Sequence, residues 1–389
     1  MSFLIGILLA LAAAPAWGQA APVLVGAAVS ETGALASLAA DYRKALLLWQ
    51  EEANASGGLL ARRVELRLLD DQSDARRSGE LYAELIRGKA DLLIGPYGSA
   101  ATLMASAETE RAERVLINGA GQALAVHKRS PRYLFQTTMP NSSYGIGILE
   151  LARAVGVSKL LVLSRDDLAV REMADATRER ALKQGFEAAE VAVYTAAASD
   201  DFSPPVAKAR AMVAEGWIAF GEVRDAVGMI RSFRKLDYAP RFFFARSAAD
   251  PRLISLVGQD AEFTLGISEY DPGLETPGNA KFAAAFSARW SAPPSFAAAQ
   301  GYAAATVLAE AVRRTGSLEQ AKLRATLREM EVATVLGAYK VDPQTGEQRG
   351  AQPAVVQIQR GRPRVVWPHE LQNATLQPYP QWEQRRRLE

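Results

Sequence analysis

The stretch EEANASGGLLARRVELRLLDDQSD, residues 51–74, changes from one periodicity to another within a few residues. Just upstream and into it, Tyr42, Ala45, Leu46, Trp49 and Ala53 recur at helical spacing, with Arg43, Lys44, Gln50 and Glu51 mostly opposite. A helix that buries one face is predicted there, ending at Gly57-Gly58. Val64, Leu66 and Leu68 then alternate with Glu65 and Arg67, the period-two pattern of a half-buried strand. Asp70-Asp71 and Ser73-Asp74 close the stretch with side-chain oxygens suited to a turn and to capping the next helix. Helix, double-glycine stop, strand and cap in such close order make one α/β unit.

Working outward, Val23 to Val29 reads as a buried strand ahead of the first helix. After Asp74 come a helix bearing Leu81, Leu85 and Ile86 that runs to Gly88, the strand Asp91 to Ile94, a helix from about Ser99 to Glu113, and the strand Val115 to Ile117. Repeated strand-helix alternation with short links predicts a parallel sheet covered on both faces. The pattern restarts after Asn141, with strands at Leu160 to Leu163, Val191 to Tyr194, Ile218 to Phe220 and Phe242 to Phe244 separated by helices. This predicts a second doubly wound unit. The breaker-rich run from Tyr270-Asp271-Pro272-Gly273 to Pro277-Gly278 reads as a return crossing between domains. Three helices to about Met330 follow, then a terminal hairpin of Val355 to Ile358 and Val365 to Trp367 around Arg360-Gly361.

Phe3 to Ala14 is an apolar and small-residue run followed by Pro15 and by Gly18-Gln19-Ala20, the pattern of an export signal cleaved after Ala20. It is too short to span a bilayer, which needs roughly 20 apolar residues. No Lys or Arg precedes the run, which departs from the usual signal. The chain contains no cysteine, which excludes disulfides, thiolate metal sites, a cysteine nucleophile and a lipidated cysteine anchor. A net charge of +2 and arginine pairs scattered without interleaved aromatics argue against nucleic-acid binding. Arg385-Arg386-Arg387 is expected in a loose tail, with Leu388-Glu389 a cloning remnant.

Chemistry is thinly supplied. His127 and His369 are the only histidines, so a serine-histidine-acid triad or a histidine-rich zinc site lacks material, and no enzyme is expected. Asp70, Asp71 and Asp74 lack the spacing and terminal glutamate of a calcium loop, which favours capping. Gly119-Ala120-Gly121-Gln122 and Gly145-Ile146-Gly147 lack the third glycine of a dinucleotide fingerprint, so no cofactor is expected. Gly95-Pro96-Tyr97-Gly98-Ser99 differs, because it lies at the carboxyl end of a strand and opens a helix. Ligands of open parallel sheets bind outside such ends, and a helix N-terminus offers unpaired NH groups to an anion. An ordinary turn with Ser99 as the cap is the alternative. Asn118 to Gln122, the next strand end, is also small and is expected beside it.

These residues resemble the type I periplasmic solute-binding proteins of branched-chain amino acid import, the leucine/isoleucine/valine-binding family. The run from Glu51 to Asp74 carries most of the resemblance, supported by DLLIGPYGSAAT, Gly301-Tyr302-Ala303-Ala304, and Gly337-Ala338-Tyr339 with Val341-Asp342. It implies an α/β fold of two doubly wound parallel-sheet lobes joined by a three-strand hinge. The lobes are expected at 23–141 plus 273–336 and at 142–272 plus 337–369, after a signal peptide at 1–20 and before a tail at 370–389. A monomeric periplasmic carrier is implied, with a small-molecule ligand held between the lobes and a membrane ABC transporter permease as partner. Carried over by position, Tyr97 and Ser99 contact a ligand carboxylate, and Ala120 and Gln122 fall on the second contact loop, where the family usually has threonine at Gln122. Leu38 replaces a residue that is often aromatic, and Leu168 falls near an aromatic of the second lobe. Arg246 stands where amino-acid binders place an acid for the ligand ammonium, and Arg favours carboxylate instead. Glu222 is expected at the same cleft edge. The departures argue against a standard α-amino acid and for a neutral or anionic, larger apolar solute, with a carboxylate such as an aromatic or keto acid favoured. A sensory or accessory protein presenting a ligand, including lipid-like or cofactor cargo, and a true branched-chain amino acid or amide binder are the alternatives.

Overall fold

The computed structural model describes residues 21–385, so the export segment with its cleavage point, and Arg386 to Glu389, lie outside the described residues. The first sheet contains β1 (Val23–Val29), β2 (Val64–Asp70), β3 (Leu92–Ile94), β4 (Leu116–Asn118) and β5 (Leu134–Gln136), all parallel, in the order β2-β1-β3-β4-β5. Its inner strands β1 and β3 are apolar on both faces because both are covered, whereas the edge strand β2 keeps Glu65 and Arg67 among its apolar residues. On one face α1 (Ala36–Ala55), α10 (Phe296–Thr315) and α11 (Gln320–Glu329) bury Tyr42, Leu46, Leu308 and Leu323 with Val25 and Ile117, and α9 (Asn279–Trp290) packs Phe282 and Phe286 against α1 and α10. On the other, α2 (Ala75–Arg87) and α3 (Ser99–Arg111) bury Tyr82, Leu85 and Ala105 with Leu93 and Leu116.

The second sheet is larger. Its parallel part is β6 (Lys159–Arg165), β7 (Ala188–Tyr194), β8 (Gly216–Phe220), β9 (Phe242–Ala245) and β10 (Leu265–Ser268). The hairpin of β13 (Ala354–Gln359) and β14 (Arg362–Trp367) extends it antiparallel beyond β10, giving the order β14-β13-β10-β9-β8-β6-β7. One face packs on α4 (Gly145–Ala154) and α5 (Leu168–Lys183), the other on α6 (Ser203–Ala211), α7 (Val223–Lys235) and α8 (Pro251–Val257). The second face is rich in edge-to-face aromatic pairs, including Trp217 with Phe233 at 4.8 Å and Phe233 with Phe243 at 4.9 Å between ring centres. The two parallel-sheet lobes match the expected fold class. The chain passes between them three times, near 137–141, 269–278 and 348–353.

Two expectations about these segments need correction. β12 (Gly337–Tyr339), expected in the second lobe, pairs antiparallel with β11 (Val332–Thr334) and belongs with it to the first. Tyr339 is fully buried in the first core with Val341, and its hydroxyl donates to the Leu327 carbonyl at 2.8 Å. The last crossing therefore falls after Gln348, whose side-chain amide donates to the Thr137 carbonyl at 3.0 Å. The described part of the tail also packs on the second lobe, while Arg386 and Arg387 of the expected loose end lie outside the described residues. Tyr379 and Trp382 sink into the aromatic core of the second lobe, and Trp382 Nε1 donates to the Tyr238 carbonyl at 2.8 Å. Two large rings outweigh a proline-broken, polar sequence without periodicity, because each removes a large apolar area from water.

Candidate functional site

In a doubly wound sheet, the crevice opens where the strand order reverses. The reversal lies between β1 and β3 in the first lobe and between β6 and β8 in the second. Helices α1 and α3 start at the first, α5 and α7 at the second. Their beginnings differ chemically. Neither α1 nor α3 has a side-chain cap or an acidic residue in its first turn. Asp167 caps α5 by accepting from the NH groups of Ala169 and Val170, and Glu222 with Asp225 forms a reciprocal capping box on α7. The first lobe therefore turns unneutralised NH groups toward the cleft, while the second has already spent its own on carboxylates.

Around α3 the backbone is fixed tightly. Gly98 sits at φ 97°, ψ 151°, a conformation open to glycine, and its carbonyl accepts from Thr102 through both NH and hydroxyl. The Ser99 hydroxyl oxygen accepts from the NH groups of Gln122 and Ala123, each at 3.1 Å, so it ties the two loops together and keeps its own proton to donate. The second loop is locked by Asn118, which exchanges hydrogen bonds with the Gly121 backbone at 2.8 and 2.7 Å. A Cβ on Gly121 would lie 2.7 Å from Thr102 Oγ1, so the loop approaches α3 as closely as a glycine permits. Ala120 is buried in this loop and Tyr97 is half-buried, its ring edge-on to Tyr42.

From Ser99 a continuous polar chain crosses to the second lobe. Gln122 Nε2 donates to the Met139 carbonyl at 2.8 Å and to the Tyr144 hydroxyl at 3.1 Å. Tyr144 donates to Glu269 Oε1, and Arg246 Nη2 donates to the same oxygen at 3.1 Å. Parallel register explains the last contact. Leu265 pairs with Phe244, so Glu269 and Arg246 leave neighbouring strand ends in the same direction. Burial pushes the Tyr97 hydroxyl above its ordinary range, helped by the Glu269 charge, and the same two causes push Tyr144 well up. Both phenols thus stay protonated near neutrality. Burial pulls Arg246 down, but Glu269, Tyr144 and Glu222 outweigh it and leave the guanidinium more firmly protonated than usual.

The structure thus gathers Tyr97, Ser99, Gln122 and Arg246 around one network, with Ala120 lining the first-lobe loop. It changes the part assigned to Arg246. The expected free cation is an ion pair, with side-chain exposures of 24% for Arg246 and 22% for Glu269, and its buried Nε has no partner. Glu222 is exposed and occupied in capping α7, and lines an open pocket of about 490 Å³ with Arg165, Asp166, Asp167 and Thr195. Leu38 and Leu168 are 57% and 75% exposed, large apolar side chains on the first turns of α1 and α5. Tyr144 and Glu269 escaped the sequence reading. Both adjoin crossings, where no periodicity marks a side chain, and Glu269 only becomes informative once β9 and β10 lie side by side.

Similarities to known proteins agree with this architecture. A family model described as "Periplasmic binding protein" matches residues 22–362. An amino acid binding protein of Pseudomonas aeruginosa is 26% identical over 83% of this chain and 86% of its own length. An ABC transporter substrate-binding protein from Desulfitobacterium hafniense in complex with Leu superposes with a TM-score of 0.71 at 19% identity, covering 89% of this chain and all of that one. A solute binding protein of an ABC transporter from Rhodopseudomonas palustris BisB5, in complex with 3,4-dihydroxy benzoic acid, gives 0.68 at 21% identity, covering 88% of this chain and 95% of that one.

Proposed function

Because the chain belongs to the periplasmic binding protein family, a group of non-enzymatic solute carriers, we propose that it captures a small carboxylate between its lobes and delivers it to an ABC transporter permease. The observation that carries this reading is the uncapped start of α3 at Ser99, facing a second lobe whose α5 and α7 starts are filled by carboxylates. The carboxylate of the solute takes the Ser99 hydroxyl and the first-turn NH groups of α3. Tyr97 and Ala120 line this end, and Leu38 and Leu168 flank an apolar body. Arg246, Tyr144 and Glu222 meet the far end. Lobe closure is a hinge motion favoured by a ligand that touches both walls. The exported chain works as a monomer in the periplasm, released after Ala20 and without a lipid anchor; among the described residues no helix is long and apolar enough to cross a membrane.

An aromatic or keto acid fits this cleft better than a standard α-amino acid, since Glu269, the acid that could meet an ammonium, is already engaged by Arg246 and Tyr144. The dihydroxybenzoate complex of the Rhodopseudomonas palustris protein supports the aromatic choice, as the same fold holds such a molecule. A second reading keeps an amino acid, with Glu269 supplying the carboxylate for its ammonium; the Pseudomonas aeruginosa relative favours it. Calorimetric titration of the mature protein with 4-hydroxybenzoate, phenylpyruvate and leucine decides between them. Micromolar binding of either acid and none of leucine is expected, and the reverse result sinks the carboxylate reading.

A further inference from the structure

Arg246 is the one basic side chain in the polar network that runs from Ser99 to Glu269, and it is not available to a solute on its own terms. Glu269 Oε1 accepts from both Arg246 and Tyr144, so a carboxylate that belongs to the protein already occupies the position a ligand carboxylate would seek. The pair is partly enclosed and firmly positioned by neighbouring strand ends. Glu222 adds a further negative charge that Arg246 senses, and Asp166 and Asp167 line the same side of the second lobe. A second ligand carboxylate arriving there meets Glu269 and Glu222, at a like-charge cost. A neutral hydroxyl, carbonyl or amide meets a different environment. Arg246 still has donors not given to Glu269, and Glu269 offers an acceptor beside Tyr144.

We propose that Glu269 sets the specificity of the cleft: it is a resident carboxylate that neutralises Arg246 and restricts the solute to one carboxylate, bound at the first lobe, with a neutral hydrogen-bonding group at the other end. This rests on the carboxylate reading above and narrows its substrate class to hydroxy- or oxo-substituted monocarboxylates. Dicarboxylates of matching length are excluded. Glu269 acts both on the solute's far end and through Arg246, so its removal alters selectivity rather than simply weakening every ligand.

Glu269→Gln tests this while keeping an acceptor for Tyr144 and Arg246. The intact mature protein and the variant are titrated calorimetrically with 4-hydroxybenzoate and with terephthalate, its dicarboxylate counterpart. The preference for the monocarboxylate should fall by about tenfold or more in the variant, chiefly through tighter terephthalate binding. An unchanged ratio overturns the proposal. Should the natural sequence bind leucine and neither acid, the function reading fails, and a second measurement decides Glu269 alone. Sodium sulfate is added to Glu269→Gln and to Arg246→Met/Glu269→Gln, and thermal unfolding is followed. A freed Arg246 binds the anion, so the single variant gains a larger rise in Tm than the double variant, whose rise reports only the general salting effect. Equal rises mean that Glu269 was not holding Arg246 from anions, and the proposal falls.

Discussion

The two reversal points of strand order are built on the same plan, yet they present opposite chemistry to the cleft. In the first lobe α1 and α3 begin without side-chain caps, after loops that turn at Gly33 and Gly98, and the Ser99 hydroxyl stitches the start of α3 to the Gln122 loop. In the second, α5 and α7 begin under Asp167, Glu222 and Asp225, and the Arg246 charge is met by Glu269. The difference teaches how one fold makes a cleft with direction. A solute with an anionic end has one favourable orientation, because fixed dipoles unneutralised on one wall are already neutralised on the other.

The most direct way to break this asymmetry is to give the first lobe what the second has. Ser99→Asp places a carboxylate in the first turn of α3, and carboxylate affinity should fall by on the order of 3 kcal/mol in calorimetry through like-charge repulsion. Thermal stability should hold or rise, since an acid there suits the helix dipole. Retained affinity would move the anion site away from α3. The opposite change strips the second lobe of its cap. Asp225 is buried, accepts from Ser199 and from the Glu222 NH at 2.7 Å, and forms an ion pair with Arg165 at 3.7 Å, so Asp225→Ala should lower unfolding stability by about 2 kcal/mol in denaturant melts. Affinity for a carboxylate should change little. A large loss of affinity with intact stability would show that the second wall, not the first, reads the anion.

A smaller change sharpens the first wall. Ser99→Ala removes one donor and the link to Gln122 and Ala123, and carboxylate binding should weaken by at least about 1 kcal/mol. Unchanged binding would leave the NH groups alone as the anion's partners. The smallest effect concerns His127, buried just beyond the second loop, with Nδ1 at 2.9 Å from the Thr345 carbonyl and Nε2 without a partner. Burial pushes its pKa below the ordinary 6.5, opposed by that hydrogen bond. Its folded value therefore lies below the unfolded one. The stability it contributes is full above about 6.5 and is lost as pH falls toward the folded value. Stability curves of the natural sequence and His127→Gln should diverge below that pH, with the natural sequence losing more. Parallel curves would mean that the wall behind the loop tolerates a charge.

Much of the molecule was legible in the chain. The run from Glu51 to Asp74 contains a helix end, a strand and a cap whose signals are all local, and they appear as α1, β2 and the Asp74 cap of α2. The paired aspartates before that cap serve turns: Asp70 takes the NH groups of Glu31 and Thr32, and Asp71 the Ser30 hydroxyl. The strands β5 and β10, of three and four residues, are too short for a period to show. Tyr379 and Trp382 were hidden by prolines and polar neighbours, since their partners Phe243 on β9 and Tyr238 in the link before it lie more than a hundred residues away.

Local order was thus the province of sequence: alternating periodicities, glycine stops and caps are set by neighbours a few residues apart, and they determined two doubly wound units and a loop of free NH groups at Ser99. Charge in the cleft was the province of tertiary structure. Arg246 alone predicts an open cation, and Glu269 alone predicts nothing. Parallel pairing of β9 with β10 brings them into contact, and a Coulomb interaction depends on separation in space rather than along the chain.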